Sequence, residues 1–329
     1  MRVAIVVNTR IQDDEFQVEY DPPHTIELIR HGIEAAGHEC LFIEADEDVS
    51  ENLKAQRPDL VFNRAEGVRG ESRESHVPAI LEMLGIPYIG SNVLTTAVGL
   101  NKAWTKKVLH YHGILTPRFH VANSLEEAET FDIVYPSILK PNEEGSSVGI
   151  NEDNVVHSKE QMLRKLGSML GEYQQNILIE QFIQGREFSV GMLGRSGKTP
   201  EILPITEVDF SKLPPEVGGV FGQRAKTKYD EIENYSCPAK ISDELRNRLE
   251  TTTLAVCTHL DVVDFGRIDF RMDSAGDLYF LEINPLPGMD FDMDNKDFSF
   301  FPYMASKAGY SYDELIRRLI ESACYRYGL

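Results

Sequence analysis

The sequence has no long hydrophobic run, no paired cysteines and too few basic residues to balance its acids. Its four cysteines, Cys40, Cys237, Cys257 and Cys324, are scattered with no C-x-x-C spacing. That excludes a disulfide framework and a zinc knuckle and fits a reducing compartment. No apolar stretch approaches the ~20 residues of a membrane span. The first one, residues 3–7, has the length of a strand and lacks a basic leader and a small-residue cleavage site. A cytoplasmic location without a membrane partner is expected. With 33 basic against 53 acidic residues the formal net charge is -20, which repels nucleic acid and anionic lipid at long range. Nucleic acid is therefore not an expected partner, and any phosphate-bearing ligand must meet a local group of lysines, arginines and backbone N–H groups. Glycine is absent from the first loop, residues 8–23. The G-x-G-x-x-G dinucleotide fingerprint is thus missing, and nicotinamide or flavin chemistry with it.

What is present suits a soluble enzyme of two or three packed subdomains: 329 residues, 42% hydrophobic and 26% charged. Residues 2–7 read as a buried strand and residues 25–36 as a helix with Ile26, Ile29, Ile33 and Ala36 on one face, stopped by Gly37. Further strands at 41–43 and 60–63, a helix near 75–84 and a turn and strand at 85–90 make residues 1–98 a small doubly wound unit with a parallel sheet. A helix at 102–112 and strands near 137–140, 177–181 and 188–192 define a second, α+β subdomain over 99–190. The third, 191–329, opens with a strand-like 202–208, passes a Pro-, Gly- and Lys-rich loop at 211–236 and enters a helix from Asp243 carrying Leu245, Leu249, Val256 and Leu260. Its last helix starts with a capping box at Ser311 and Glu314 and buries Leu315, Leu319 and Ala323.

Residues 265–273 and 278–285 alternate polar and apolar around the turn 274–277, a hairpin signature. With Ala275 and Gly276 at the tip, cross-strand partners have numbers that sum to 551, pairing Asp269 with Glu282, Arg267 with Asn284 and Ile268 with Ile283. The other face then carries Ile268, Phe270, Met272, Tyr279, Leu281 and Ile283 into the core. Two carboxylates directly opposite one another repel. A hard divalent cation taking oxygens from Asp269, Glu282 and the Asn284 amide relieves the repulsion, with phosphates completing its octahedron. A merely solvated acidic face accounts for the alternation equally well.

Residues 137–150 place Lys140 at a strand end before a small-residue loop, 143–149, whose N–H groups can lie over phosphate oxygens. The loop contains Gly145-x-Ser147-x-Gly149, the nucleophile-elbow pattern of hydrolases. Four residues separate the strand from Gly145, however, and no helix clearly follows, which argues against an elbow. Residues 177–190 form strand, turn and strand with Glu180 and Glu187 at the ends. These acids are either ordinary edge charges or acceptors for an exocyclic amine and for ribose hydroxyls.

Taken together these segments resemble the D-alanine–D-alanine ligase family of the ATP-grasp superfamily, over roughly residues 60–325. The carrying stretches are 84–91, Asn101-Lys102, Lys140-Pro141 with 144–149, Gly185 with Glu187-Phe188, Gly266-Arg267-Ile268-Asp269, and Glu282-Ile283-Asn284 with Pro287-Gly288-Met289. The resemblance implies an ATP-grasp α/β fold: the N-terminal doubly wound subdomain plus two α+β subdomains enclosing ATP. It implies ATP and Mg2+ as cofactors, with Mn2+ able to substitute, and ADP-forming ligation of a carboxylate and an amine, both small molecules of amino-acid type, through an acyl phosphate. Lys102, Lys140 and Ser147 would bind phosphates. Glu180 with Gln181, Phe182 and Ile183 would hold adenine, and Glu187 the ribose. Lys226 or Lys228 would reach the γ-phosphate, and Asp269, Glu282 and Asn284 would ligate magnesium. Arg267, Ser146 and Lys226 would form the catalytic set. A homodimer is also implied.

Three substrate segments depart from the family pattern. Its glycine- and serine-rich N-terminal loop with a substrate-binding glutamate is replaced by 8–15 without glycine, leaving Glu15 or Glu19 as substitutes. Its His-Gly-x-x-Gly-Glu-Asp-Gly stretch begins here with Glu66 in place of histidine. After Gly288, where the family offers serine and leucine to a substrate carboxylate, this chain has Asp290, Met293 and Asp294. Such a loop suits an acceptor bearing positive charge or several donors, so a substrate pair other than two D-alanines is expected. The cell-wall ligase itself and a nonenzymatic ATP-binding module are the alternatives.

Overall fold

The computed structural model of the protein describes residues 1–12, 17–229, 231–293 and 297–329, with the side chains of Arg195, Arg224, Lys226 and Thr227 outside that description. The N-terminal strands Glu39–Glu44, Arg2–Val7, Leu60–Arg64 and Tyr88–Ile89 form one parallel sheet in that order. Successive side chains of a strand point to opposite faces. Val3, Ile5 and Val7 accordingly enter one core with Ile26, Ile29 and Ile33 of the helix Pro23–Ala35. Ala4 and Val6 enter another with Leu53 and Leu81 of the helices Val49–Gln56 and His76–Leu84. The sheet is therefore doubly wound, as expected. The first core is completed from the far end of the chain: Leu315, Ile316, Leu319 and Ile320 of the helix Tyr312–Tyr327 pack against it. Ser311 caps that helix by accepting from the Glu314 N–H, but the Glu314 carboxylate holds Arg317 and Arg318, so only half of the capping box forms.

A second, antiparallel sheet contains Phe119–Ala122, Ile177–Gln181, Ser137–Pro141 and Val155–Val156, backed by the helix Lys159–Tyr173. A third runs Tyr235–Ser236, Thr206–Val208, Arg186–Arg195, Phe265–Met272 and Leu278–Asn284, with Lys198–Ile202 also on Arg186–Arg195. The strand-like stretch 202–208 is thus divided between two strands. Arg186–Arg195 is continuous across residue 190, and we place the division between the two ATP-grasp subdomains at 182–185, where the chain passes from one sheet to the next.

The expected hairpin forms between Phe265–Met272 and Leu278–Asn284. Arg267 pairs with Asn284, Ile268 with Ile283 and Asp269 with Glu282. Beyond Asp269 the register shifts by one residue, so that Phe270 faces Phe280 and Leu281 is the extra residue of a bulge. The shift reverses the expected sides of its neighbours: Leu278 and Phe280 are buried with Phe270 in the core, whereas Leu281 lines the site cavity. Tyr279 likewise leaves the core face and its hydroxyl reaches Asp273.

Candidate active site

The three units enclose a cavity of about 320 Å3. Its floor is the polar face of the hairpin. Asp269 accepts from Ser189 at 2.6 Å and from Arg267 at 3.0 Å, and lies 3.4 Å from the Asn284 amide. Glu282 and Asn284 face the same space. The bulge at Leu281 brings Glu282 back beside Asp269 after the turn, so the carboxylate pair is set by strand register.

Lys140, one residue before the end of the strand Ser137–Pro141, contacts Glu180 at 2.5 Å, while Lys106 lies 3.0 Å from the other Glu180 oxygen. Burial alone would raise Glu180, but the two lysines outweigh it and bring its carboxyl from the ordinary 4.5 to about 2. Burial would lower Lys140, and the carboxylates of Glu180 and Glu282 instead hold it raised and charged. Because the folded value of Glu180 is depressed, the stability tied to it is present above pH 4.5 and is lost as pH falls toward 2. A Glu180→Gln variant is expected to be about 3 kcal/mol less stable near pH 6. That gap should narrow in melting curves below pH 4.5; a constant gap down to pH 2 would contradict the assignment.

The loop after Lys140 turns on two residues in the left-handed region, Ser146 at φ 46° and Ser147 at φ 62°. Such conformations in non-glycine residues concentrate at functional sites. Ser146, Ser147 and Gly145 line the cavity, and a β-carbon at Gly145 would collide with the Glu19 carboxylate. Lys102, at the start of the helix Lys102–Tyr111, donates to the Glu144 carbonyl.

Gln181, Phe182, Ile183 and Glu187 line the same cavity. Arg271, which sequence reasoning passed over, organises them. It donates to the Ile183 carbonyl at 3.1 Å, to Glu187 and to the Gly219 carbonyl at 2.9 Å, and lies over the rings of Phe182 and Phe210. Its signal was its place in the alternation, two residues beyond Asp269 on the polar face.

The three segments expected to hold substrate meet at a single ion pair. Asp21 receives two bonds from Arg64, at 2.8 and 2.9 Å, and Arg64 also donates to the Pro287 carbonyl at 2.8 Å. Arg64 therefore ties the N-terminal loop, the Glu66 segment and the Gly288 segment together. Glu19, Glu66, Gly288 and Asp290 line the cavity. Asp290 accepts from Thr25 at 2.6 Å and from Ser299 at 2.9 Å, so it is built into the wall rather than left as a solvated charge. Met293 is 38% exposed and Lys228 is exposed, and neither lines the cavity. Glu15, Asp294 and the Lys226 side chain lie outside the described residues. Among the described residues no helix is long and apolar enough to cross a membrane.

Comparison with known proteins agrees with this architecture. The family model for the D-ala D-ala ligase C-terminus matches residues 95–321. An uncharacterised protein, y4sG, of Sinorhizobium fredii is 30% identical over 99% of this chain and 98% of its own length. The D-alanine–D-alanine ligase of Desulforamulus reducens is 33% identical over 90% of this chain and 92% of its own. The crystal structure of the D-alanine–D-alanine ligase from Bacillus anthracis complexed with ATP superposes with a TM-score of 0.74 at 24% identity, covering 100% of both chains, a likeness of fold. The chain belongs to the D-alanine–D-alanine ligase family and has the ATP-grasp fold.

Proposed function

We propose that this ATP-dependent, ADP-forming carbon–nitrogen ligase joins two amino acids, or a related carboxylate and amine, through an acyl phosphate, with a substrate pair other than two D-alanines. The observation that carries the reading is the convergence of Lys102, Lys140, Arg267 and the Asp269, Glu282 and Asn284 face on one cavity that also holds Glu19, Glu66 and Asp290. Asp269, Glu282 and Asn284 offer the hard oxygen donors that Mg2+ or Mn2+ takes, and the ion would supply charge to neutralise phosphate oxygens.

The substrate carboxylate attacks the γ-phosphorus, a P–O bond forms and ADP leaves. The amine then attacks the acyl carbon, its proton is lost and inorganic phosphate departs. The chain's contribution is positioning and preorganised charge. Lys140, held charged by Glu180, and Lys102 receive phosphate oxygens. Glu180 thereby acts by fixing Lys140, a refinement of the expected adenine contact. Arg267, anchored on Asp269, faces the reacting centre and steadies the negative charge that develops there. The acyl phosphate is hydrolysable, so the loops 143–149 and 211–236 are assigned as lids that exclude water.

Arg271→Ala is expected to raise the KM for ATP about tenfold, equivalent to ~1.4 kcal/mol, with a smaller change in kcat. An unchanged KM would reduce Arg271 to a structural role. The reading as a whole is tested by ADP release across a panel of L- and D-amino acids, singly and in pairs. Turnover of a pair other than D-alanine is expected. Strong and exclusive turnover of D-alanine would overturn the substrate assignment, and ATP binding without ADP release for any pair would indicate a nonenzymatic module.

A further inference from the structure

Glu66 and Glu74 are neighbours in the cavity wall, and the reaction steps described so far give neither a role. Glu66 follows the strand Leu60–Arg64 and Glu74 lies in the short turn Arg73–Ser75; each is 7% exposed and each lines the cavity. Oε2 of Glu74 is buried with no hydrogen-bond partner among the described residues, and Glu66 sits among the carboxylates of Glu74, Glu19 and Asp21 with Arg64 as the opposing charge. Three neighbouring cations are engaged elsewhere, and Arg10, which also lines the cavity, acts on Asp21 and Asp297. Arg64 holds Asp21. Arg73 holds Glu19 at 2.7 Å, Glu144 at 3.0 Å and the Glu143 carbonyl at 2.8 Å. Lys102 donates to the Glu144 carbonyl.

Asp21 is paired with Arg64, Glu19 with Arg73, and Asp290 is satisfied by the Thr25 and Ser299 hydroxyls, which leaves Glu66 and Glu74 as the two carboxyl groups of this group with neither a cation nor a hydroxyl on them. A buried carboxylate without a partner is unfavourable and is relieved by protonation or by an incoming cation. Burial, reinforced by the charge of Glu74, raises Glu66 well above the carboxylate range. Burial and Glu19 raise Glu74 to about 8, against the opposing charges of Arg73, Lys102 and Arg64.

We propose that Glu66 and Glu74 form a subsite for the two ammonium groups of a diamino acid, which makes the amino acid bound at this wall a basic one. The assignment rests on the ligase reading and names its substrate class. A diamino acid brings one cation for each unpaired carboxyl, whereas a neutral amino acid leaves one of them uncompensated.

The test uses the full-length protein with ATP and magnesium, comparing lysine, ornithine and 2,4-diaminobutyrate, in both stereochemical forms, with counterparts lacking the side-chain amine. The KM of the preferred diamino acid is expected to be at least tenfold below that of its counterpart, and Glu66→Gln and Glu74→Gln to bring the ratio close to one. Calorimetry of the unsubstituted protein in two buffers of different ionisation heat should show proton release as the diamino acid binds. Equal KM values, a ratio untouched by both substitutions, or binding without proton release would overturn the subsite. ADP release with neutral amino acids alone overturns the subsite and leaves the ligase reading intact. Absence of ADP release with every amino acid overturns both.

Discussion

Glu282→Gln is expected to lower ligation about 1000-fold, ~4 kcal/mol of transition-state stabilisation, while changing the stability of the protein little. Stability changes little because the repulsion relieved at Asp269 is offset by the attraction lost at Lys140 and Arg267. Asp269 and Glu282 are direct cross-strand partners, and like charges in that position destabilise a ladder by roughly 0.2–1 kcal/mol. Glutamine keeps the shape and removes the repulsion, so the hairpin keeps its register. The same change withdraws one of two carboxylates from the proposed cation, and a residue with a purely structural role would lose activity and stability together. Melting temperature and magnesium-dependent ADP release, measured on the same preparation, separate the cases. Unchanged activity would remove Glu282 from the metal site.

Asp21→Ala is expected to destabilise the protein by about 3–5 kcal/mol, the scale for breaking a buried ion pair by removing one partner. Arg64 and Asp21 are 1% and 3% exposed. Burial raises Asp21 even against the Arg64 charge beside it, so the pair is not itself a large source of stability. The penalty comes from leaving the Arg64 guanidinium in the interior with the Pro287 carbonyl as its remaining hydrogen-bond acceptor among the described residues and only the charges of Glu66 and Asp290 acting on it. Because Arg64 joins all three segments proposed to hold substrate, amino-acid binding should weaken more than ATP binding. Denaturant unfolding and separate titrations with each ligand check this. A loss under 1 kcal/mol with unchanged amino-acid binding would contradict the anchoring role.

Much of this site was legible because strand chemistry is local. Alternation identified the shared face of Arg267, Asp269, Glu282 and Asn284, and the sum of 551 holds from Arg267–Asn284 to Asp269–Glu282. It fails beyond Asp269 because a bulge has no reliable signature in alternation; Leu281 is as apolar as the core residues on either side of it. Arg64 was hidden for a different reason. Its partners, Asp21 and Pro287, are 43 and 223 residues away, and a buried arginine within the sequence Leu60–Arg64 reads as an ordinary strand end. The helix Tyr312–Tyr327 was legible from its own periodicity, but its packing on the N-terminal sheet is a long-range choice that no local pattern encodes. Lys106 was missed because a lysine in an amphipathic helix is ordinarily solvated, whereas this one is fully buried beside Glu180.

The central claim is that the carboxylate becomes an acyl phosphate before the amine attacks. The direct measurement is isotope transfer from a substrate amino acid labelled with oxygen-18 in its carboxylate. The account predicts one labelled oxygen in each inorganic phosphate released together with ADP, in step with amide formation. Unlabelled phosphate accompanying the same product would contradict it.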